Sequence, residues 1–308
     1  MENTRAKTTR NSLILLLTAT IWGMAFVSQS KGMDYMHPFT FNGVRSLIGA
    51  AGILVYILIS RKIAGDKAAK LDWKLNVRAG LLCGIFLTIA STLQQFGIKY
   101  TSVGKAGFIT TLYIIFVPMF GVFLKKKVAP VVWAAAGMAA VGMYLLCMTE
   151  SLRLGAGDIM VFLCAIAFAI QIMTVDHYAA RIDGAVVSCI QFTVCGVVCC
   201  IGALIWGQPT FGQIQEGLGA LLYAGVLSCG VGYTLQIVGQ KGLNPTVAAL
   251  IMSLESVIAT ISGWIAYKIG FLSTDQTLTP RQIAGCIIVF AAVILVQLPP
   301  EWFRFGKK

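Results

Sequence analysis

The chain has 308 residues, of which 57% are apolar and only 12% charged. Soluble domains carry roughly 25% charged residues, so there is too little charge here to coat a water-exposed globule, and a soluble fold is excluded. The net charge of +12, from 24 Lys+Arg against 12 Asp+Glu, would suggest nucleic acid on a soluble protein, but in a membrane protein it reflects basic residues collected in cytoplasmic loops.

Crossing the hydrocarbon takes about 20 residues. In chain order, apolar runs bounded by charge or turn residues predict ten spans, at about 12–30, 38–60, 77–98, 103–124, 129–148, 157–178, 185–206, 217–239, 245–268 and 280–298. The run at the start is read as a retained span and not a cleaved leader, because its loss would remove the first element of the repeat described below. Loops between spans are short. With the N-terminus inside, 17 of the basic residues fall on the inner side and 6 on the outer, with Arg45 inside a span. That bias predicts both termini in the cytoplasm and an even number of spans. Trp73, Trp302 and Tyr35 fall near span ends and read as interface anchors.

Shifting the sequence by 142 residues lays Thr92-Leu93-Gln94, Gly97 and Lys99 on Thr234-Leu235-Gln236, Gly239 and Lys241. The same shift lays Ala106, Ile109, Leu112, Tyr113 and Gly121 on Ala248, Ile251, Leu254, Glu255 and Gly263. A shift of 146 brings Trp22 onto Phe168 and Arg45 onto Gln191, and a shift of 148 brings Gly137 onto Gly285. Matches of Leu and Ala mean little in an apolar chain, but Gln and Lys are scarce here. The chain is therefore expected to consist of two units, residues 1–150 and 151–308. A unit of five spans is odd, so the second copy is expected upside down. Inverted repeats recur in secondary transporters, where two similar halves give inward-open and outward-open states of similar energy.

These residues resemble the EamA-type branch of the drug/metabolite transporter superfamily. The resemblance is carried by Ile21-Trp22-Gly23, Pro38 with Arg45, the stretch from Ala106 to Pro118, Ser253-Leu254-Glu255-Ser256-Val257, Gly137 and Gly285. Where the family often has an acidic residue after spans four and nine, this chain has Lys125-Lys126-Lys127 and Lys268, and Ser256 stands in place of a usual proline. The resemblance implies an all-α membrane protein with ten spans. It implies a central cavity formed by spans one to four and six to nine, with spans five and ten outside it.

Two ionisable residues fall deep in spans, where charge costs about 2.5–3.5 kcal/mol. Glu255 is ten residues beyond Pro245, about 15 Å along a helix and near the midplane. Arg45 is seven residues beyond Pro38, about 10 Å below the surface. Glu255 reads as a proton- or cation-coupling carboxylate, as the partner of a substrate amine, or as a packing residue bonded to helix backbone or to Arg45. Gln94 and Gln236 offer a donor and an acceptor each to a polar substrate, or they bond neighbouring helices. Trp22, Tyr113 and Gln171 complete the candidate cavity residues; Tyr113 is included as the repeat counterpart of Glu255.

The nine cysteines have no C-x-x-C spacing and read as small packing residues. No zinc-ligand spacing, phosphate loop or catalytic constellation is present, so no metal, cofactor or enzymatic activity is expected. The reading is a secondary active transporter of small organic metabolites in the plasma (inner) membrane, working by alternating access. Its partners are a small-molecule substrate, a coupled proton or cation and the lipid bilayer, with no nucleic acid. The family resemblance favours export, of amino acids or related compounds. The alternatives are a non-transporting sensor or scaffold and a membrane-embedded lipid-modifying enzyme.

Overall fold

The computed structural model describes residues 2–65, 71–101, 103–125, 128–147, 155–272 and 277–297, and among these there are helices and turns but no strands. In chain order the first half holds α1 (Glu2–Gly32), α2 (Pro38–Ala64), α3 (Trp73–Tyr100), α4 (Val103–Thr111), α5 (Tyr113–Phe123) and α6 (Pro130–Cys147). The second half holds α7 (Ala156–Tyr178), α8 (Gly184–Gly202), α9 (Phe211–Glu216), α10 (Leu218–Leu222), α11 (Tyr233–Gly239), α12 (Pro245–Met252), α13 (Glu255–Lys268) and α14 (Pro280–Gln297). Two π-helical segments, Ala203–Gly207 and Tyr223–Gly232, continue α8 and join α10 to α11. Among the described residues, eight helical stretches are long and apolar enough to cross a membrane, and two shorter apolar helices, Pro130–Leu145 and Pro280–Leu295, accompany them. Trp73 is exposed at the start of α3, whereas Trp302 lies outside the described residues.

Helix starts follow from local chemistry. Asp72 accepts the Leu75 N–H and Asp183 accepts those of Ala185 and Val186, capping α3 and α8. Pro38 and Pro245 open α2 and α12, where a missing N–H costs nothing. The His37 Nδ1 caps α2 by accepting the Phe39 N–H. Burial first, and then the nearby Lys99 charge, hold this imidazole below its ordinary range, which keeps the ring neutral and Nδ1 able to accept.

Lipid tails are as apolar as Leu, so helices in a bilayer associate through close packing at small residues. At Gly97 a Cβ would lie 2.9 Å from the Gly157 carbonyl oxygen and would also strike Val161. Gly239, its counterpart at a shift of 142, meets Leu15 at 2.8 Å and the Asn11 carbonyl oxygen at 3.2 Å. Leu15 and Asn11 are the counterparts of Val161 and Gly157 at a shift of 146. One contact is thus built twice, once between α3 and α7 and once between α11 and α1.

The wider packing has the same form. α2 lies on α8 and α6 on α14, each helix against its own counterpart. α3 on α8 is matched by α2 on the Tyr223–Gly232 segment, and α1 on α13 by α7 on α5. Exchanging the two halves leaves these pairings unchanged.

Gly97→Val should overpack the α3–α7 contact and destabilise the protein by about 1–3 kcal/mol. Gly239→Val should do the same at α11–α1, whereas valine at Gly52, where the added carbon meets nothing within 4 Å, should leave the melting temperature in detergent nearly unchanged.

Candidate functional site

Two of the spans break at equivalent points. α4 ends at Thr111 and α5 begins at Tyr113; α12 ends at Met252 and α13 begins at Glu255. The residues at the breaks, Thr111 and Ser253, are themselves related by the shift of 142. Thr111 Oγ1 donates to the carbonyls of Gly107 (3.0 Å) and Phe108 (2.9 Å), and Ser253 Oγ to that of Leu250 (2.7 Å). Hydroxyls that bond back to the preceding turn compete with the backbone ladder and bend helices.

Each break presents the first residue of the following helix to the interior. Tyr113 (2% exposed) and Glu255 (4% exposed) meet there, and the Tyr113 hydroxyl donates to Glu255 Oε1 at 3.0 Å. The repeat-related positions therefore touch each other across the two halves. No hydrogen bond or ion pair joins Glu255 to Arg45 among the described residues.

Arg45 projects from α2 and is 5% exposed. Its guanidinium carbon lies 5.3 Å from the centre of the Phe41 ring, and its Nε has no hydrogen-bond partner. Ser46, Ser91 and Ser228 line the same cavity. Ser46 and Ser91 hydroxyls each lie 3.4 Å from the Cys195 sulfur.

Aromatic rings form another wall. Trp22 and Tyr233 rings are 4.5 Å apart, and Phe192 stands edge-on to Tyr233 at 5.0 Å. Gly232 makes room for the indole, because a Cβ there would lie 2.7 Å from Trp22 Nε1. Phe168, the counterpart of Trp22, lines the cavity too.

The glutamines cross-link helices. Gln94 Nε2 donates to Thr110 Oγ1 at 3.2 Å. Gln236 Nε2 donates to Gln171 Oε1 at 3.2 Å, and Gln171 Nε2 to Gln191 Oε1 at 3.5 Å. All seven residues singled out from sequence line one cavity: Trp22, Arg45, Gln94, Tyr113, Gln171, Gln236 and Glu255. About 40 Å³ of it is open to the centre of a water molecule, enough for a few waters at roughly 10–15 Å³ each. No cavity-lining residue comes from α6 or α14.

Sequence reading missed Tyr233, Phe192, Phe168 and the three serines. A usable signal existed for three of them, since Phe168 is the counterpart of Trp22, and Tyr233 directly precedes the repeated Thr234-Leu235-Gln236 and has Ser91 as its counterpart. The π segment had no such signal. Gly84 packs on Gln191 and Val194, and Gly225 packs on their counterparts Arg45 and Ile48. These glycines are 141 residues apart, one fewer than the shift that holds from Thr92 onward. The extra residue is absorbed by the Tyr223–Gly232 segment. Such bulges often sit at functional sites, and this one delivers Ser228 and Cys229 to the cavity. Among the described residues, no three His, Cys, Asp or Glu side chains gather to hold a metal ion.

A helical membrane protein with a polar, aromatic-walled cavity between two similar halves has the build of a transporter. The EamA-like transporter family matches the chain twice, at residues 10–148 and 155–298, and the chain belongs to that family. An uncharacterized transporter of Archaeoglobus fulgidus is 28% identical over 290 residues, covering 92% of this chain and 84% of its own. The uncharacterized transporter YwfM of Bacillus subtilis is 24% identical over 295 residues, covering 94% of each. A solved crystal structure superposes with a TM-score of 0.74 at 16% identity, covering 96% of this chain and 99% of the other, which shows the shared fold.

Tyr113→Phe should strip Glu255 of its hydroxyl donor and cost about 1–3 kcal/mol, the penalty of an unsatisfied buried group. Thermal unfolding in detergent measures it. Adding Glu255→Gln should cost less than the two single losses together, because the pair acts as a unit.

Proposed function

We propose that the chain is a secondary active transporter that exports small organic metabolites such as amino acids across the plasma membrane by alternating access. The observation that carries this reading is the contact between Tyr113 and Glu255 on the wall of a cavity that both halves enclose. Residues at equivalent positions of two repeats touch where the halves meet, so motion of one half against the other has to pass through this contact.

In this reading ten spans form two inverted five-span units, residues 1–150 and 151–308, with both termini in the cytoplasm. The breaks at Leu112 and Leu254 are points where the spans flex. The glutamine bridge from Gln236 through Gln171 to Gln191 draws α11, α7 and α8 together at the cavity wall. With room for a few waters only, the conformation is closed around the site, and opening requires these bonds to part. Glu255 is the residue whose charge couples transport to a proton or cation, released from Tyr113 when the cavity hydrates.

Uptake into proteoliposomes, screened over amino acids, nucleosides and cationic drugs with and without an imposed proton gradient, tests transport itself. Glu255→Gln keeps the shape and removes the charge, and it should lower the rate at least about tenfold or abolish its dependence on pH between about 5 and 8. Wild-type rates across that range would remove Glu255 from the mechanism. Tags placed at residue 1 and residue 308 should be inaccessible from outside intact cells, and an accessible tag at either end would defeat the topology.

A further inference from the structure

Arg45 is the feature of the cavity that the reading above does not use. Seven residues into α2 from Pro38, it sits about 10 Å along the helix, where an arginine costs energy unless something compensates it. The compensation is incomplete. The Phe41 ring faces the guanidinium, Nε is bonded to nothing, and the cavity's carboxylate is engaged elsewhere, by Tyr113.

The helix contact at this position does not use the charge. Gln191 is the counterpart of Arg45, is fully buried, and packs against Gly84 as Arg45 packs against Gly225. In both halves the atoms of this residue that meet the glycine are backbone ones, so this contact does not depend on the charge, and the Gln191 side chain bonds Gln171 instead. The charge is an addition to one side of a symmetric scaffold, and it lies on the cavity.

We propose that Arg45 anchors a carboxylate of the transported molecule. A guanidinium presents a planar fork of donors that matches a carboxylate in two-point contact. Ser46, Ser91 and Ser228 line the cavity with it, and a hydroxyl can donate to a carboxylate as well. The chemistry selects a monoanion, because one guanidinium balances one negative charge. Trp22 and Tyr233 provide an apolar wall for the body of the substrate. The substrate class is therefore a small organic monocarboxylate, with an amine allowed at the Glu255 side but not required. This inference rests on the transporter reading and narrows it.

The test compares each amino acid with its carboxamide, which has nearly the same shape and no negative charge. Both are offered to full-length protein in proteoliposomes, as transported compounds and as competitors. Primary amines and nucleosides complete the panel. At least one acid should be taken up, and its carboxamide should compete about 10- to 100-fold more weakly, as expected for losing hydrogen bonds to a charged group. Arg45→Gln should erase that difference, so that acid and amide compete equally, and Arg45→Lys should retain a weakened preference for the acid. Ligand-free melting temperatures establish that each variant is folded. If Arg45→Gln does not fold, the wild-type comparison and Arg45→Lys decide. Equal handling of acid and amide by the wild type, or an acid preference that survives Arg45→Gln, would overturn the anchor and leave the transporter reading standing. Absence of uptake across the whole panel would overturn both.

Discussion

Within hydrocarbon there is no water to satisfy a polar group, so a buried polar atom is costly unless it finds a partner in the protein or faces a cavity. Here that constraint meets a second one, the lack of any hydrophobic drive between helices in lipid. Together they account for most of what is seen. The helices are held by close approach at small residues such as Gly97 and Gly239, and the polar side chains are withdrawn to the interior. Glu255, Arg45, Gln94, Gln171, Gln236, Ser46, Ser91 and Ser228 all end up around one central space.

The repeat turns this requirement into geometry. Because α2 packs on α8 and α6 on α14, helices lie against their own counterparts, and so do the breaks in the two spans that carry Tyr113 and Glu255. The hydroxyls of Thr111 and Ser253 bond back to the preceding turn at equivalent points of both spans. The outcome is asymmetric chemistry on a nearly symmetric frame. Tyrosine faces glutamate, arginine stands where the other half has glutamine, and tryptophan stands where it has phenylalanine. A symmetric frame favours exchange between two states of similar energy, while the asymmetric side chains supply the polarity that a substrate would read. The π segment between α10 and α11 adds to the asymmetry, since its extra residue is absent from α3.

All seven cavity residues named from the sequence line the space, and five of them were found through depth or repetition. Glu255 and Arg45 stood out because charge is rare in spans; Gln94, Gln236 and Tyr113 stood out because they recur. Most residues with neither property were passed over. Phe192 is an ordinary apolar residue by composition, and nothing in an apolar span tells which face looks inward. In a soluble helix a polar stripe marks the outside; here lipid and protein interior are both apolar, so that signal is lost. Serines near Arg45 were passed over for a related reason, because a hydroxyl can bond its own helix and need not mark a site.

Composition and the spacing of apolar runs determined by themselves that the chain is helical and membrane-embedded. Internal matching alone established that it is doubled, because rare residues repeating at a constant offset do not arise from apolar bias. The tertiary structure decided which counterparts touch and which only correspond. Tyr113 reaches Glu255 because two bent spans bring their breaks together. Arg45 does not reach Glu255, although their depths along the helices differ by only about 5 Å. Depth is a one-dimensional quantity that a sequence encodes through helix rise. The direction in which a side chain points, and which of several helices it meets, depends on packing between segments far apart in the chain.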